Sequence, residues 1–288
     1  MNHTPVVFIH GTWLHALSWE SWAERFAGRG FRAFTPGWPG EITSGETRTS
    51  AEIRTSGETR TSRETRTSGE TRTSSDETFA GIGLDMLIAH YADIVRSFDV
   101  APVVVGHSVG GLIAQHLIGA DIGRAAVAIA PAPINDIPLP PSSARLWTPG
   151  QAGAADRLVT LSPERFRRDF ANTVAAEESY RLFERHVVPA PRRLVDELGA
   201  AGEAGSPEVD VGNVHRGPLL LMSGQEDRLV PDAVTRAVYK EYGDSTAVTD
   251  LKQFADRGHS LVIDNGWRFV ADYVLGWLEE RGFRATAG

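Results

Sequence analysis

A serine flanked by glycines, in the stretch "VVVGHSVGG", has the residue types and spacing of a nucleophile. The motif is Gly106-His107-Ser108-Val109-Gly110, which matches G-x-S-x-G. In that pattern a sharp turn from a strand into a helix holds the serine hydroxyl above a sheet, and the glycines are needed because side chains there would collide. An apolar run precedes the motif and an apolar helical segment follows it. We therefore predict that Ser108 is a nucleophile at a helix N-terminus, where the helix dipole favours developing negative charge.

A serine hydroxyl is a poor nucleophile near neutral pH, so it needs a general base and a carboxylate that orients the base. His259 is the predicted base, because "FADRGHS" indicates a strand end and a turn at the same edge of the sheet as Ser108. Asp227, in "MSGQEDRLVP", also follows a strand and is the predicted acid. Asp136, after the preceding parallel strand, competes for that role. The chain order nucleophile, acid, base is that of one large fold class.

The oxyanion formed by such an attack needs two N–H donors. One normally comes from the residue after the nucleophile, here Val109. The other should come from the loop after the first parallel strand, which reads "IHGTW", so the N–H of Thr12 is the second predicted donor. His10 and Trp13 then lie near the pocket, and we interpret His10 as a structural residue that holds this loop.

These residues follow elements that alternate between strand and helix. Apolar runs predict buried strands, and apolar residues at i, i+3, i+4 and i+7 predict helices. The predicted strands are "PVVFIHG", "FRAFTPGWPG", "APVVVGHS", "RAAVAIAPAP", "GPLLLMSGQED" and "AVTDLKQFADRGHS". Several of these runs are continuously apolar, which indicates strands covered on both faces. The fold class is therefore α/β, a doubly wound, mostly parallel sheet flanked by helices.

Between residues 137 and 213 the alternation stops, and the chain is rich in Pro, Ala, Arg and Glu. In "SPERFRRDFANTV", Ser162 and Pro163 predict a helix start. We interpret 137–213 as a helical lid inserted after the "RAAVAIAPAP" strand, on a core formed by 1–136 and 214–288. Aromatic residues that could wall an apolar substrate pocket, with His10 close by, are Trp13, Trp38, Trp147, Phe166, Phe170 and Phe183.

Composition excludes several functions. The net charge of −8 argues against nucleic acid and anionic membranes as partners, since both need a basic patch. No cysteine is present, which excludes disulfides, thiolate catalysis and cysteine-ligated zinc. No signal peptide and no run long enough to span a bilayer are found. We expect a cytoplasmic enzyme that acts on a small molecule, without a metal or other cofactor.

Taken together, "FIHGTW", "GHSVGG", "SGQEDRLVP" and "DRGHS" resemble the α/β-hydrolase superfamily, in its lid-bearing, serine esterase-like branch. The resemblance implies Ser108 as nucleophile, Asp227 as acid and His259 as base, with Thr12 and Val109 as oxyanion donors. It also implies an eight-stranded sheet, but the "FIHG" strand begins so close to residue 1 that we expect about six strands. The stretch "FTPGWPG" departs from the family pattern because it lacks the acidic residue common there.

The favoured hypothesis is hydrolysis of a carboxylic ester, thioester or lactone through an acyl-enzyme. An alternative keeps the triad but uses it for C–C bond hydrolysis, hydroxynitrile cleavage or cofactor-free perhydrolysis. A third hypothesis is a ligand-binding protein without catalysis.

Five near-identical copies of a hexad, x-E-T-R-T-S, occupy residues 45–74. The copies carry almost no apolar side chains, so they cannot bury enough surface to offset their ordering entropy. We expect this insert to be disordered or loosely extended, and to interrupt the enzyme rather than to do its chemistry.

Overall fold

A computed structural model describes residues 4–41, 79–147, 157–200 and 208–283. The central sheet has six strands in the order β2-β1-β3-β4-β7-β8, and every neighbouring pair is parallel. These strands are β1 (Pro5–Ile9), β2 (Arg32–Phe34), β3 (Val103–His107), β4 (Ala125–Ile129), β7 (Leu219–Gly224) and β8 (Thr249–Phe254). A separate antiparallel pair consists of β5 (Leu158–Val159) and β6 (Ala190–Pro191). The predicted parallel sheet of about six strands is confirmed.

The helices connect and cover these strands. They are α1 (Glu20–Ala27), α2 (Leu84–Arg96), α3 (Val109–Gly119), α4 (Pro141–Trp147), α5 (Pro163–Arg165), α6 (Ala176–His186), α7 (Arg192–Gly199), α8 (Asp232–Glu241) and α9 (Trp267–Glu280). A 3-10 turn (Ala16–Trp19) precedes α1, and α5 continues as a π-helical turn (Phe166–Phe170). None of the helices in the described ranges is both long and apolar enough to cross a membrane.

Register brings the carboxyl ends of the central strands to one level. Ile9 pairs with Gly106, and His107 pairs with Ile129, so β1, β3 and β4 end side by side. All residues of these three strands are buried, as expected for parallel strands covered on both faces. Every residue of α3 is buried as well, which explains why this helix is mostly apolar. The loops that follow the three strands therefore meet at one edge of the sheet.

The range 137–213, predicted as a lid, contains α4 to α7 and the β5–β6 pair. Its helix α5 begins at Pro163 with the Ser162 hydroxyl as its N-cap, as predicted. The segment contacts the carboxyl edge of the sheet, since the N–H of Ser260 donates to the Phe170 carbonyl and that of Val188 to the Trp13 carbonyl (3.0 Å each).

The hexads at 45–74 lie outside the described residues. The chain on either side of residues 42–78 is packed against the core. Trp38 and Phe79, near the two ends of that gap, have their ring centroids 6.4 Å apart. Both ends of the gap are thus fixed at one place on the fold.

Candidate active site

Ser108 lies in the turn between β3 and α3 with a backbone conformation that non-glycine residues rarely adopt, φ 57° and ψ −119°. Backbone hydrogen bonds hold this strained residue in place. Its N–H donates to the Ile129 carbonyl at 3.0 Å, and its carbonyl accepts from the N–H of Gly111 (2.9 Å) and Ala132 (3.0 Å). Strain of this kind costs about 1–3 kcal/mol and persists only where the surrounding structure enforces it.

Glycines make the turn possible because backbone atoms fill the space where side chains would lie. A Cβ on Gly106 would be 1.9 Å from the Gly110 carbonyl oxygen, and a Cβ on Gly110 would be 2.2 Å from the Ile9 carbonyl oxygen. A Cβ on Gly11 would be 2.9 Å from the Ser108 Cβ. The loop after β1 is therefore packed directly against the serine.

Substitution Gly106→Ala should severely destabilise the protein, by at least about 3 kcal/mol, because the clash is with backbone that cannot move aside cheaply. Gly276→Ala is the matched control, since a Cβ in that helical position meets nothing within 4 Å. We expect it to leave stability unchanged or raise it by about 0.5–1 kcal/mol. Urea unfolding of both variants measures the difference, and a Gly106→Ala variant as stable as wild type would contradict the packing described above.

The predicted base and acid are in contact. Nδ1 of His259 lies 2.6 Å from Oδ2 of Asp227, and since a carboxylate only accepts, the imidazole donates. The other carboxylate oxygen of Asp227 accepts from the N–H groups of Leu229 and Val230, both at 2.9 Å. Both side chains are buried, with exposed fractions of 1% for His259 and 0% for Asp227. Asp136, the competing acid, is exposed to solvent.

Backbone contacts join the loops that carry the acid and the base. The N–H of Glu226 donates to the Arg257 carbonyl at 3.0 Å. After the histidine, the Ser260 hydroxyl donates to Asp264 Oδ2 at 3.0 Å. Phe170, from the π-helical turn, packs its edge against the His259 ring at a centroid distance of 4.8 Å. The imidazole is thus fixed on several sides.

His107, which the sequence analysis did not single out, contacts the predicted base. Its Nε2 lies 2.9 Å from the carbonyl oxygen of His259, and the two rings are 4.7 Å apart. Burial, together with the nearby His259, holds the pKa of His107 well below its usual range, so the ring is neutral and donates through Nε2. The one feature of the sequence that could have indicated this role is a histidine at the end of an otherwise apolar strand.

Two reacting atoms of the predicted triad have no partner among the described residues. The Ser108 hydroxyl oxygen and His259 Nε2 are both buried and make no hydrogen bond within the part of the chain that the structure describes. Catalytic hydrogen bonds are often long or poorly aligned without substrate and tighten in the reacting complex.

The predicted oxyanion donors lie on either side of the serine. Val109 is the first residue of α3, where backbone N–H groups have no partner within the helix. Thr12 follows Gly11 in the loop after β1 and is 1% exposed. Since Gly11 touches the serine, both backbone segments border the same space.

A buried contact between a histidine and a carboxylate anchors that loop. His10 Nε2 lies 3.1 Å from Glu41 Oε2 and donates to it, and His10 Nδ1 lies 3.1 Å from the Gly11 carbonyl oxygen. Glu41 also accepts from the N–H of Trp38 (2.8 Å) and of Ala16 (3.1 Å). These contacts agree with the interpretation of His10 as a residue that holds this loop. Glu41 comes directly after "FTPGWPG", the stretch noted for lacking an acidic residue.

The surroundings of Glu41 lead us to predict that the protein loses stability in acid. Burial alone raises the pKa of Glu41, but the hydrogen bond and charge of His10, with the two backbone N–H groups, outweigh burial and lower the pKa to about 2. A lowered pKa means that the stabilisation is present above about pH 4.5 and is lost as the pH falls towards 2. The size expected is up to about 3 kcal/mol.

Urea unfolding between pH 7 and pH 2.5 measures this effect. Glu41→Gln should be less stable than wild type at pH 7 and should lose less stability in acid. Glu24→Gln, which changes an exposed carboxylate on α1, is the control and should follow the wild-type profile. Equal acid sensitivity in wild type and Glu41→Gln would show that the Glu41 carboxylate does not stabilise the loop.

The predicted pocket residues make ring contacts with one another and with residues of this site. Trp13 stacks on Trp147 at 5.2 Å, and Phe166 stacks on Phe170 at 5.0 Å. Phe183 packs its edge against Phe166 at 5.8 Å. Trp38 lies on the far side of the loop, stacked on His10 at 4.6 Å. Within the described residues, no group of three or more His, Cys, Asp and Glu side chains is arranged to hold a metal ion.

A parallel sheet with a strained serine at a strand–helix turn, beside a buried histidine–carboxylate pair, defines the class of proteins with the α/β-hydrolase fold. The chain belongs to the alpha/beta hydrolase family, whose sequence model matches residues 6–273.

Solved structures that resemble this chain share its fold over nearly the whole length. They include a monoacylglycerol lipase from Paleococcus ferrophilus (19% identity, TM-score 0.63, covering 96% of each chain). A putative non-heme bromoperoxidase from Mycobacterium tuberculosis H37Rv is also 19% identical, with a TM-score of 0.66, covering 97% of this chain and 93% of that one. A methylesterase from Arabidopsis is 17% identical, with a TM-score of 0.60, covering 96% of this chain and 99% of that one. No curated protein sequence matches the chain significantly.

Proposed function

We propose that this protein is a serine hydrolase that cleaves a carboxylic ester, thioester or lactone of a small molecule through an acyl-enzyme. The observation that carries the proposal is the buried His259–Asp227 hydrogen bond of 2.6 Å at the edge of the sheet where Ser108 is held in its strained turn. Lipases and esterases among the similar structures support the same reaction class.

In the proposed reaction, the Ser108 hydroxyl oxygen attacks the substrate carbonyl carbon while His259 Nε2 takes its proton. The N–H groups of Thr12 and Val109 bind the resulting oxyanion. When the tetrahedral intermediate collapses, the bond to the alkoxy group breaks, and His259 returns the proton to the leaving alcohol. Water, deprotonated by His259, then attacks the acyl-serine, and the carboxylic acid leaves with the serine restored.

Asp227 supports each step without changing its own protonation. Its carboxylate keeps a hydrogen on Nδ1 of His259, so that Nε2 is free to accept the serine proton. The carboxylate also stabilises the imidazolium that forms, because both groups are withdrawn from water.

We further propose that residues 137–213 act as a lid. The π-helical turn of this segment covers the base, since Phe170 packs against His259 and its carbonyl accepts from the N–H of Ser260. Ser108 itself is only 1% exposed, so a substrate reaches it when this segment moves aside. The aromatic walls favour acyl or aryl groups.

A fluorophosphonate probe and a substrate panel test the proposal together. We expect an adduct on Ser108 and turnover of a chain-length series of nitrophenyl esters, run beside a lactone and a thioester. The absence of an adduct on Ser108 would refute the nucleophile. An adduct without turnover of any ester would instead favour other chemistry at the same triad.

A further inference from the structure

Trp13 combines three unusual features. Its backbone φ is 63°, in the left-handed region that bulky residues rarely adopt. Its side chain is 2% exposed, and the indole Nε1 has no hydrogen-bond partner within the described residues. Its ring stacks on Trp147, which belongs to the proposed lid. A strained residue and an unpaired buried donor both cost stability, so a role in function is the simplest reason for them.

The position of Trp13 places it at the wall of the active site. It comes two residues after Gly11, whose added Cβ would be 2.9 Å from the Ser108 Cβ. Its stacking partner Trp147 donates from Nε1 to the carbonyl of Leu229 at 3.4 Å, two residues after Asp227. The stacked pair therefore joins the oxyanion loop to the loop that carries the acid.

Several unpaired buried polar atoms lie in this region. Besides Trp13 Nε1, the Thr12 hydroxyl, the Ser108 hydroxyl and His259 Nε2 are buried and have no partner among the described residues. The last two are the reacting atoms. Trp19 and Trp38 also have buried indole nitrogens without a partner in the described part of the chain. Of the three, Trp13 alone has a strained backbone, and it directly follows the predicted oxyanion donor Thr12.

We propose that the indole N–H of Trp13 donates to a second oxygen of the substrate, beside the reacting carbonyl, and so selects oxygenated esters. The substrate class is an ester with an ether, hydroxyl or carbonyl oxygen two or three bonds from the ester group. This inference rests on the proposed ester hydrolysis. An indole N–H only donates, so it binds an oxygen at that place, whereas a methylene in the same place leaves the N–H unpaired.

Isosteric ester pairs test the inference. On the acyl side, 4-nitrophenyl methoxyacetate is compared with 4-nitrophenyl butyrate, in which CH₂ replaces the ether oxygen. On the alcohol side, 2-methoxyethyl benzoate is compared with butyl benzoate. Each kcat/KM ratio is divided by the ratio of the hydroxide-catalysed rates, which removes intrinsic reactivity. In wild type we expect a corrected preference of about fivefold or more for the oxygenated ester of at least one pair.

Trp13→Phe keeps an aromatic ring and removes the donor. We expect it to abolish that preference, by lowering kcat/KM about fivefold or more for the oxygenated ester and less than about twofold for its isostere. Trp147→Phe is the matched control, because its N–H is bonded within the protein. It should change both esters of a pair equally.

Three results would overturn the inference. A corrected wild-type ratio near one in both pairs does so without any variant, even if Trp13→Phe does not fold. Equal losses for both esters in Trp13→Phe would assign the residue to packing alone. If wild type turned over none of the four esters, the proposed hydrolysis would fail first, and the role of Trp13 with it.

Discussion

Ser108→Ala should lower kcat for ester hydrolysis by about 10⁴- to 10⁶-fold while leaving the protein folded. The loss follows from the mechanism, because the acyl-enzyme needs the hydroxyl oxygen and no neighbouring group replaces it. Stability should change little, since that hydroxyl is buried without a hydrogen-bond partner in the described structure. Steady-state kinetics with a nitrophenyl ester and thermal unfolding measure both effects.

Ser18→Ala is the matched control. Ser18 is also buried and its hydroxyl also has no partner among the described residues, but it lies in the 3-10 turn before α1. We expect it to keep wild-type activity and to be labelled by a fluorophosphonate at Ser108. Undiminished esterase activity in Ser108→Ala would refute the proposed nucleophile, whatever the control shows.

Asp227→Asn should lower kcat by about 10⁴-fold through the tautomer of the histidine. One carboxylate oxygen accepts from the N–H groups of Leu229 and Val230, so the asparagine oxygen takes that position and its NH₂ group faces His259. The imidazole must then accept at Nδ1 and carry its hydrogen on Nε2, where it cannot take the serine proton. Shape and volume are nearly unchanged.

Asp136→Asn separates the two acids considered from the sequence. Asp136 is exposed, and we expect its substitution to leave kcat within about twofold of wild type. The measurement is kcat for the two variants, Asp227→Asn and Asp136→Asn, at the pH of maximal activity. A loss below about tenfold in Asp227→Asn, or a large loss in Asp136→Asn, would contradict the assignment of Asp227 as the acid.

The sheet and the candidate triad could be predicted because their signals are local. Continuous apolar runs mark β1, β3 and β4, and G-x-S-x-G marks a turn whose glycines are required by contacts with backbone nearby in sequence. Asp227 and His259 each follow a strand, and parallel strands bring their carboxyl ends to one edge. Choosing between Asp227 and Asp136 was harder, because that choice depends on side-chain direction.

Contacts between distant segments could not be predicted. Glu41 bonds to His10 because β2 lies next to β1, and nothing in the sequence near either residue indicates the pair. The spacing of Phe166, Phe170 and Val174 is that of one helix face, but the described helical turns end at Phe170. There the Phe170 carbonyl accepts from the N–H of Ser260, the residue after His259. Tertiary contact overrides local periodicity at this point.

The fixed ends of the gap between Glu41 and Phe79 bear on the evolution of this chain. Those ends are held by the Trp38–Phe79 ring contact and by the bonds of Glu41. Repeats of one hexad are the kind of coding sequence that gains and loses copies by replication slippage. One copy more or less changes a connection of 37 residues by six, which alters the entropy of loop closure by only about 0.1 kcal/mol. We therefore expect a change in copy number to have almost no effect on the free energy of folding.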